Sequence, residues 1–272
     1  MSEITIFLHM PKTGGTTLNS IIRNMYDHER LYATPEVIIE HYGRDWKQAP
    51  PKERWQFARD TFASLPESEK KDIDAVFGHL WFGWHKATER SCRYVTFLRH
   101  PVHRFVSYYN YMRNLDNHPV AEKIQTLNMD FEDFLKEREL SNLPSNQQIK
   151  FLTGDFDPTL HTLKRAVENV KNHFLFVGLT EYFDADLLHL AKLAGWSTPY
   201  YTRQNTSRKK ITASDLEPAV VHKIMQMNSL DMALYEHVKS SRSYRKSGQT
   251  RIFQILNRLH STSVAQHLRR AI

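Results

Sequence analysis

The sequence predicts an α/β protein, a single domain with a mainly parallel sheet flanked by helices. Three observations carry this. Short β-branched and aromatic runs, ITIFL from Ile4, DAVFG from Asp74 and RYVTFL from Arg93, recur between segments with apolar residues at helical spacing. None of the runs alternates strictly, which is the pattern of a strand covered on both faces, as parallel sheets are. Each is followed at once by glycine, proline or a basic residue, the punctuation of a strand turning into a helix.

The first unit is the most explicit. After the strand Ile4 to Leu8 comes PKTGGTT, and then a helix whose Leu18, Ile21, Ile22 and Met25 fall at i, i+3, i+4 and i+7. From Asp27 to Asp72 the chain is polar and broken by Pro35, Pro50, Pro51 and Pro66. It reads as loop and short helix, with a surface helix from Pro51 to Leu65 packed through Trp55, Phe57, Ala58 and Phe62. The second strand, Asp74 to Gly78, runs into HLWFGWH, and the third, Arg93 to Leu98, into Arg99, His100 and a helix opened by Pro101. Helical patterns follow at Val120 to Leu127, Asp130 to Glu139, Asn146 to Leu152 and Thr159 to Asn172. A fourth strand is expected from His173 to Gly178, a helix from Asp184 to Ala194 closed by Gly195, and one further helix from Ser214 to Lys239.

The glycine turn is an anion cradle. Gly14 and Gly15 let the backbone turn sharply, and the helix behind them offers N–H groups and a positive dipole end. Lys12 adds a cation, and Thr13, Thr16 and Thr17 add hydroxyl donors suited to phosphoryl oxygens. The order differs from a Walker A loop, in which Lys follows the glycines, and three spaced Rossmann glycines are absent. Parallel strands collect their chemistry at their C-terminal ends. That places Lys12, His79 and Arg99 in three neighbouring loops, with Ser107 two turns into the helix after Arg99.

Length and composition, 272 residues with 40% hydrophobic and 25% charged, fit a globular protein with a sizeable core. The net charge of +7 is unevenly spread. After Glu236 there is no Asp or Glu, and that tail holds eight of the 37 Lys and Arg, leaving 29 bases against 30 acids in the rest. No nucleic-acid partner is therefore expected of the body. A single cysteine, Cys92, cannot close an internal disulfide, and no run approaches the roughly 20 apolar residues of a membrane span. The expected location is cytoplasmic, at most peripheral at a membrane surface.

These motifs resemble the sulfotransferase superfamily that uses 3′-phosphoadenosine-5′-phosphosulfate, PAPS, and most closely the heparan sulfate 2-O- and 6-O-sulfotransferase branch with its bacterial relatives. PKTGGTT is similar to that family's 5′-phosphosulfate loop, FLRHPVHRFVSYY to its 3′-phosphate motif and GHLWFG to its G-H segment. NQQIKFLTG from Asn146 and FVGLTEYF from Phe176 resemble weaker blocks. The resemblance implies a P-loop-like sulfotransferase architecture over residues 1–239, with PAPS as co-substrate and PAP as product. It implies that Lys12 and residues 13–17 hold the phosphosulfate, that Arg99 and Ser107 meet the 3′-phosphate, and that His79 is the general base. It also points to Arg208, in NTSRKK, as a further cofactor contact. No metal is expected. The acceptor is a hydroxyl on a glycan, a lipid headgroup or a small molecule. His85, His100 and His103 are competing bases, and Trp81, Phe82 and Trp84 candidate acceptor contacts. A P-loop-type kinase, or a non-catalytic nucleotide or polyanion binder, are the other readings of the cradle. The tail, residues 240–272, carries Ile252, Ile255, Leu256 and Leu259 among arginines. It reads as a short amphipathic helix for an anionic membrane surface or for self-association, or as a helix packed on the body.

Overall fold

The computed structural model describes residues 3–43, 46, 48–202, 211–242 and 248–260. Arg208 and its neighbours 203–210 lie outside them. Five parallel strands form the sheet: β1 (Ile4–Leu8), β2 (Leu31–Ala33), β3 (Ala75–Gly78), β4 (Cys92–Leu98) and β5 (Phe174–Leu179), in the spatial order β2-β3-β1-β4-β5. β1 is central, Thr5 standing opposite Ala75 on one side and Arg93 on the other. The chain thus leaves β1 in both directions, and the crevice at such a reversal of strand order is where α/β sheets bind ligands.

The edge strand β2 lies within the stretch that reads from sequence as loop and short helix. It has three residues and pairs only with β3, and an ion pair from Arg30 to Asp74, 2.7 Å, holds its start. The helices before β3 are α1 (Gly15–Met25), α2 (Thr34–Tyr42), α3 (Pro51–Ser64) and α4 (Glu67–Lys70). Those between β4 and β5 are α5 (Pro101–Met112), α6 (Pro119–Thr126), α7 (Phe131–Lys136), α8 (Arg138–Asn142), α9 (Gln147–Thr153) and α10 (Leu160–His173). After β5 come α11 (Phe183–Ala194), α12 (Pro218–Met227), α13 (Ser229–Ser240) and α14 (Gly248–His260).

Side chains along β1 alternate between two cores. Ile4, Ile6 and Leu8 pack with Val76, Leu98 and residues of α3, α9, α10 and α13. Phe7 packs with Leu18 and Ile22 of α1, and with Phe77, Val95 and Phe97, on the other face. A third core gathers α5, α6, α7 and α12 around Phe105, Tyr109, Phe131, Phe134 and Ile224.

The single helix expected from Ser214 to Lys239 is two. It begins at Pro218 and breaks at Asn228, a fully buried residue whose amide donates to Ile224 O at 2.9 Å and accepts from the backbone N–H of Asn146 at 3.1 Å. The helix yields because that side chain serves another part of the chain. In the tail, α14 lies on α11. Phe253 is buried with Ile21, Leu187 and Tyr201, and Asn257 accepts from the Tyr201 N–H at 2.7 Å. Ile252, Ile255 and Leu256 face outward. Among the described residues no helix is long and apolar enough to cross a membrane.

Candidate active site

The C-terminal ends of β1, β4 and β5 are stitched into one rim. Thr180, just past β5, places its hydroxyl 2.9 Å from both Thr13 O and Leu98 O, and Arg99, just past β4, donates from Nη1 to Lys12 O at 3.1 Å. These contacts hold Lys12 at φ 72 and Gly14 at φ 84. A lysine in the left-handed region costs on the order of 1 kcal/mol, which the contacts to its carbonyl and to the next residue offset. Gly14 caps α1, no side chain caps it in turn, and the first turn carries no acid. A positive helix end with no acid in its own first turn therefore faces the cleft.

That cleft, of about 890 Å³, has Lys12, Gly14, Gly15, Thr16 and Thr17 on one side and Arg99 and Ser107 on another. Its size is that of a nucleotide-sized ligand pocket. Thr13 is not part of the lining. Its hydroxyl turns back to Met10 O, 3.0 Å away, and closes the turn instead of facing a ligand. Gly15 serves a neighbour: a Cβ there would stand 1.7 Å from Nε2 of His9, so the missing side chain makes room for an imidazole. His9 itself lines the cleft. The Lys12 ammonium lies over the Tyr111 ring, 4.1 Å from its centroid. Asn110 on α5 exchanges hydrogen bonds of 2.7 and 3.2 Å with the backbone of Ile211, which fixes residues 211–214 along the same cleft.

Arg99 is bracketed by Gln148, whose Oε1 accepts the Arg99 N–H at 2.8 Å while Nε2 donates to Arg99 O at 2.9 Å. Gln148 is aimed by the buried Asp231, whose carboxylate accepts the N–H groups of Gln148 and Ile149 at 3.0 and 2.8 Å. The fully buried Arg104 lies beside it and donates to Gln147 and Pro144 O. Asn146 completes the network by accepting from Leu230 and Asp231 N–H. Burial lowers the basicity of the Arg99 guanidinium, and Glu181 acts in the opposite sense. Glu181 also receives the His100 N–H at 2.9 Å and lies 3.6 Å from His103.

His79 follows β3 and is not among the residues lining the cleft. It stacks on His9 with ring centroids 4.4 Å apart, and its Nδ1 is 3.0 Å from His9 O. A carbonyl only accepts, so Nδ1 carries the proton and Nε2 the lone pair. Burial pushes His79 down to about 4, with Arg54 adding to the effect and the bond to His9 O opposing it. His9 is held well below its ordinary value by burial, then by His79 and Lys12.

The other candidates separate. His85 is bonded to Tyr94 OH at 2.9 Å and stacks on His173, inside the fold. Trp84 is buried, and Phe82 packs on Tyr94 and Phe174. Trp81 instead joins Trp55, whose ring lies 6.2 Å from that of His79. Burial raises the Cys92 thiol to about 11, a structural cysteine's environment. Among the described residues no three His, Cys, Asp or Glu side chains come together as a metal site. His9, Tyr111, Gln148, Asp231 and Thr180 join the site without a motif of their own that marks them in the sequence. The blocks at Asn146 and Phe176 are the only sequence signal for Gln148 and Thr180.

A parallel sheet with a glycine turn after its central strand and a second basic loop after its neighbour defines a P-loop-like α/β protein. A family model for galactose-3-O-sulfotransferase matches residues 2–270, and the chain belongs to that family within the sulfotransferase superfamily. Galactose-3-O-sulfotransferase 3 of Mus musculus is 25% identical over 256 residues, 86% of this chain and 55% of that protein. The Homo sapiens protein of the same name gives the same identity and coverage. A heparin sulfate O-sulfotransferase of Drosophila melanogaster is 29% identical over 139 residues, 46% of this chain and 40% of its own length. The chain thus spans about half the length of the galactose-3-O-sulfotransferases it matches. Among solved structures, mouse sulfotransferase SULT7A1 complexed with PAP is 14% identical, covering 94% of this chain and 90% of that one at a TM-score of 0.42. The sulfotransferase domain of the Synechococcus PCC 7002 olefin synthase, 14% identical, covers 97% of each chain at 0.34.

Proposed function

We infer that the protein transfers a sulfuryl group from PAPS to a hydroxyl of a glycan. One observation carries the reading: the uncapped start of α1, Lys12, Arg99 and Ser107 open onto one cleft of nucleotide size. The family supports it, and sets the kinase alternative aside. PAPS brings the activated sulfuryl group on a phosphosulfate anhydride. Lys12 and the start of α1 hold the phosphosulfate and take up the charge that grows on the bridging oxygen. Arg99, with Ser107 two turns along α5, holds the 3′-phosphate. Nε2 of His79, free of a proton near neutral pH, takes the acceptor's proton. A glycan acceptor accords with the names of the relatives. The testing experiment incubates the full chain with PAPS and a library of neutral and acidic oligosaccharides and reads intact mass. Gain of one sulfate by a glycan is the expected result, and modification of none removes the reading.

A further inference from the structure

Outside the cleft, one largely buried cation has no polar partner among the described residues. Arg54 on α3 is 7% exposed, its Nε is shut off from solvent with no hydrogen-bond partner among the described residues, and its two Nη atoms, which keep some contact with solvent, make no hydrogen bond or ion pair with any described residue. Its contact is with the Trp46 ring, 4.9 Å from the centroid. A guanidinium set this deep is ordinarily forked onto a carboxylate, and among the described residues Arg54 has none. The Arg54 charge also acts on the candidate base His79, lowering its basicity.

Beside His79 stands an aromatic wall. Trp55, the next residue on α3, is 6.2 Å from the His79 ring and 4.7 Å from Trp81, and Phe156 lies 3.7 Å from Trp81. Phe156 is exposed, with Lys52 Nζ 5.3 Å from its ring centre. Trp81 Nε1, like Arg54 Nε, has no acceptor among the described residues. None of these residues lines the nucleotide cleft. Aromatic faces suit the C–H faces of sugars, and an unspent guanidinium suits carboxylate or sulfate oxygens.

We propose that Arg54 and the wall of Trp55, Trp81 and Phe156 form an acceptor subsite beside His79 that takes an anionic sugar, one bearing a carboxylate or a sulfate near the reacting hydroxyl. That a hydroxyl reacts there rests on the sulfuryl-transfer reading, whereas the binding of an acidic sugar does not. The family name specifies galactose and says nothing of a charge on the acceptor.

Calorimetry on the full chain saturated with PAP tests it with two matched pairs. One is a uronic-acid disaccharide and its carboxyl-reduced counterpart, and the other a sulfated galactoside and its unsulfated parent. At least one acidic member should bind roughly tenfold or more tighter than its neutral partner. Arg54→Met should erase that preference while neutral-sugar and PAP affinities stay within about twofold, and Arg54→Lys should restore part of it. Melting supplies a second readout. Arg54→Met should melt close to wild type, since no hydrogen bond or ion pair to a described residue is lost, and the preferred acidic sugar should raise the melting temperature of wild type alone. Equal binding within both pairs, a preference that survives Arg54→Met, or a marked loss of stability in Arg54→Met overturns the proposal. An acidic preference in a chain that fails to bind PAP would uphold the subsite and remove the PAPS reading instead.

Discussion

The imidazole of His79 lies face to face with that of His9, 4.4 Å between ring centroids, and its Nδ1 is committed to the His9 carbonyl 3.0 Å away. The pair joins the candidate base to the cleft, because His9 lines the cleft and His79 does not. Removing His79 should therefore spare nucleotide binding. His79→Ala is expected to lower turnover by about 10² to 10⁴ with PAP affinity near wild type, measured by steady-state kinetics and calorimetry. Full turnover in that variant would move the base elsewhere.

The same pair fixes the direction of two pH effects. With His79 held near 4, kcat/KM should rise as pH climbs through about 4 and stay level from there to neutrality. An acid limb near 6.5 would instead report a histidine outside this pair. Stability moves the same way. Both histidines are held below their ordinary value, so between about 4 and 6.5 the unfolded chain binds more protons than the folded one. The melting temperature should then fall as pH drops through that window, with a slope of up to about 1.4 kcal/mol per pH unit for each histidine that must charge.

Arg99 and Lys12 should fail differently. Arg99→Ala is expected to weaken PAP by roughly 2–4 kcal/mol and AMP by much less, because the guanidinium is assigned to the 3′-phosphate. Equal binding of PAP and AMP by the wild type would remove that assignment. Lys12→Ala should cost at least about a hundredfold in turnover with a smaller effect on PAP affinity.

Gln148 acts on Arg99 through the backbone, so its loss should resemble a mild form of Arg99→Ala. Gln148→Ala should weaken PAP by about 1 kcal/mol, leave AMP unchanged and lower stability by about 1–3 kcal/mol, since the Arg99 N–H and carbonyl lose their partner. Asp231→Ala is different in kind. It leaves Arg104 without its buried counter-charge and two N–H groups without acceptors, and should destabilise the fold by about 3–5 kcal/mol in denaturant titrations.

In the tail, Phe253→Ala should destabilise the protein by about 3 kcal/mol, since the ring is buried against Ile21, Leu187 and Tyr201. Co-sedimentation with anionic and neutral vesicles at two salt concentrations separates a membrane role for the outward Ile252, Ile255 and Leu256. Salt-sensitive binding to anionic vesicles that Ile252→Ser with Ile255→Ser abolishes would support that role. Equal sedimentation of both proteins would remove it.

Much of the fold was legible because buried parallel strands announce themselves as β-branched and aromatic runs, as in Ile4–Leu8 and Cys92–Leu98. β2 was not, since three residues at an edge carry too little pattern. The break at Asn228 was equally hidden, because its cause is Asn146, far away in sequence. Within the site, Lys12, Arg99 and Ser107 belong to local strand-loop-helix patterns and could be picked out. His9, Asp231 and Arg54 take their meaning from contacts across space. Thr13 looks in sequence like Thr16 and Thr17, and only the geometry of the turn sends its hydroxyl back to Met10.

The position of β1 has a consequence for how the chain assembles. It is the first strand in sequence, yet Thr5 must wait for Ala75 and Arg93 before either of its edges is paired. At synthesis rates of roughly 5–20 residues per second, this apolar strand stays unpaired for several seconds on the ribosome. Nucleation cannot be local, so folding should be slow for a chain of this size, and the sticky period falls before Leu98 has emerged. A charged residue at Thr5 would shorten that risk, but only by giving up the contact between Thr5 and Tyr26 and setting a charge on the central strand.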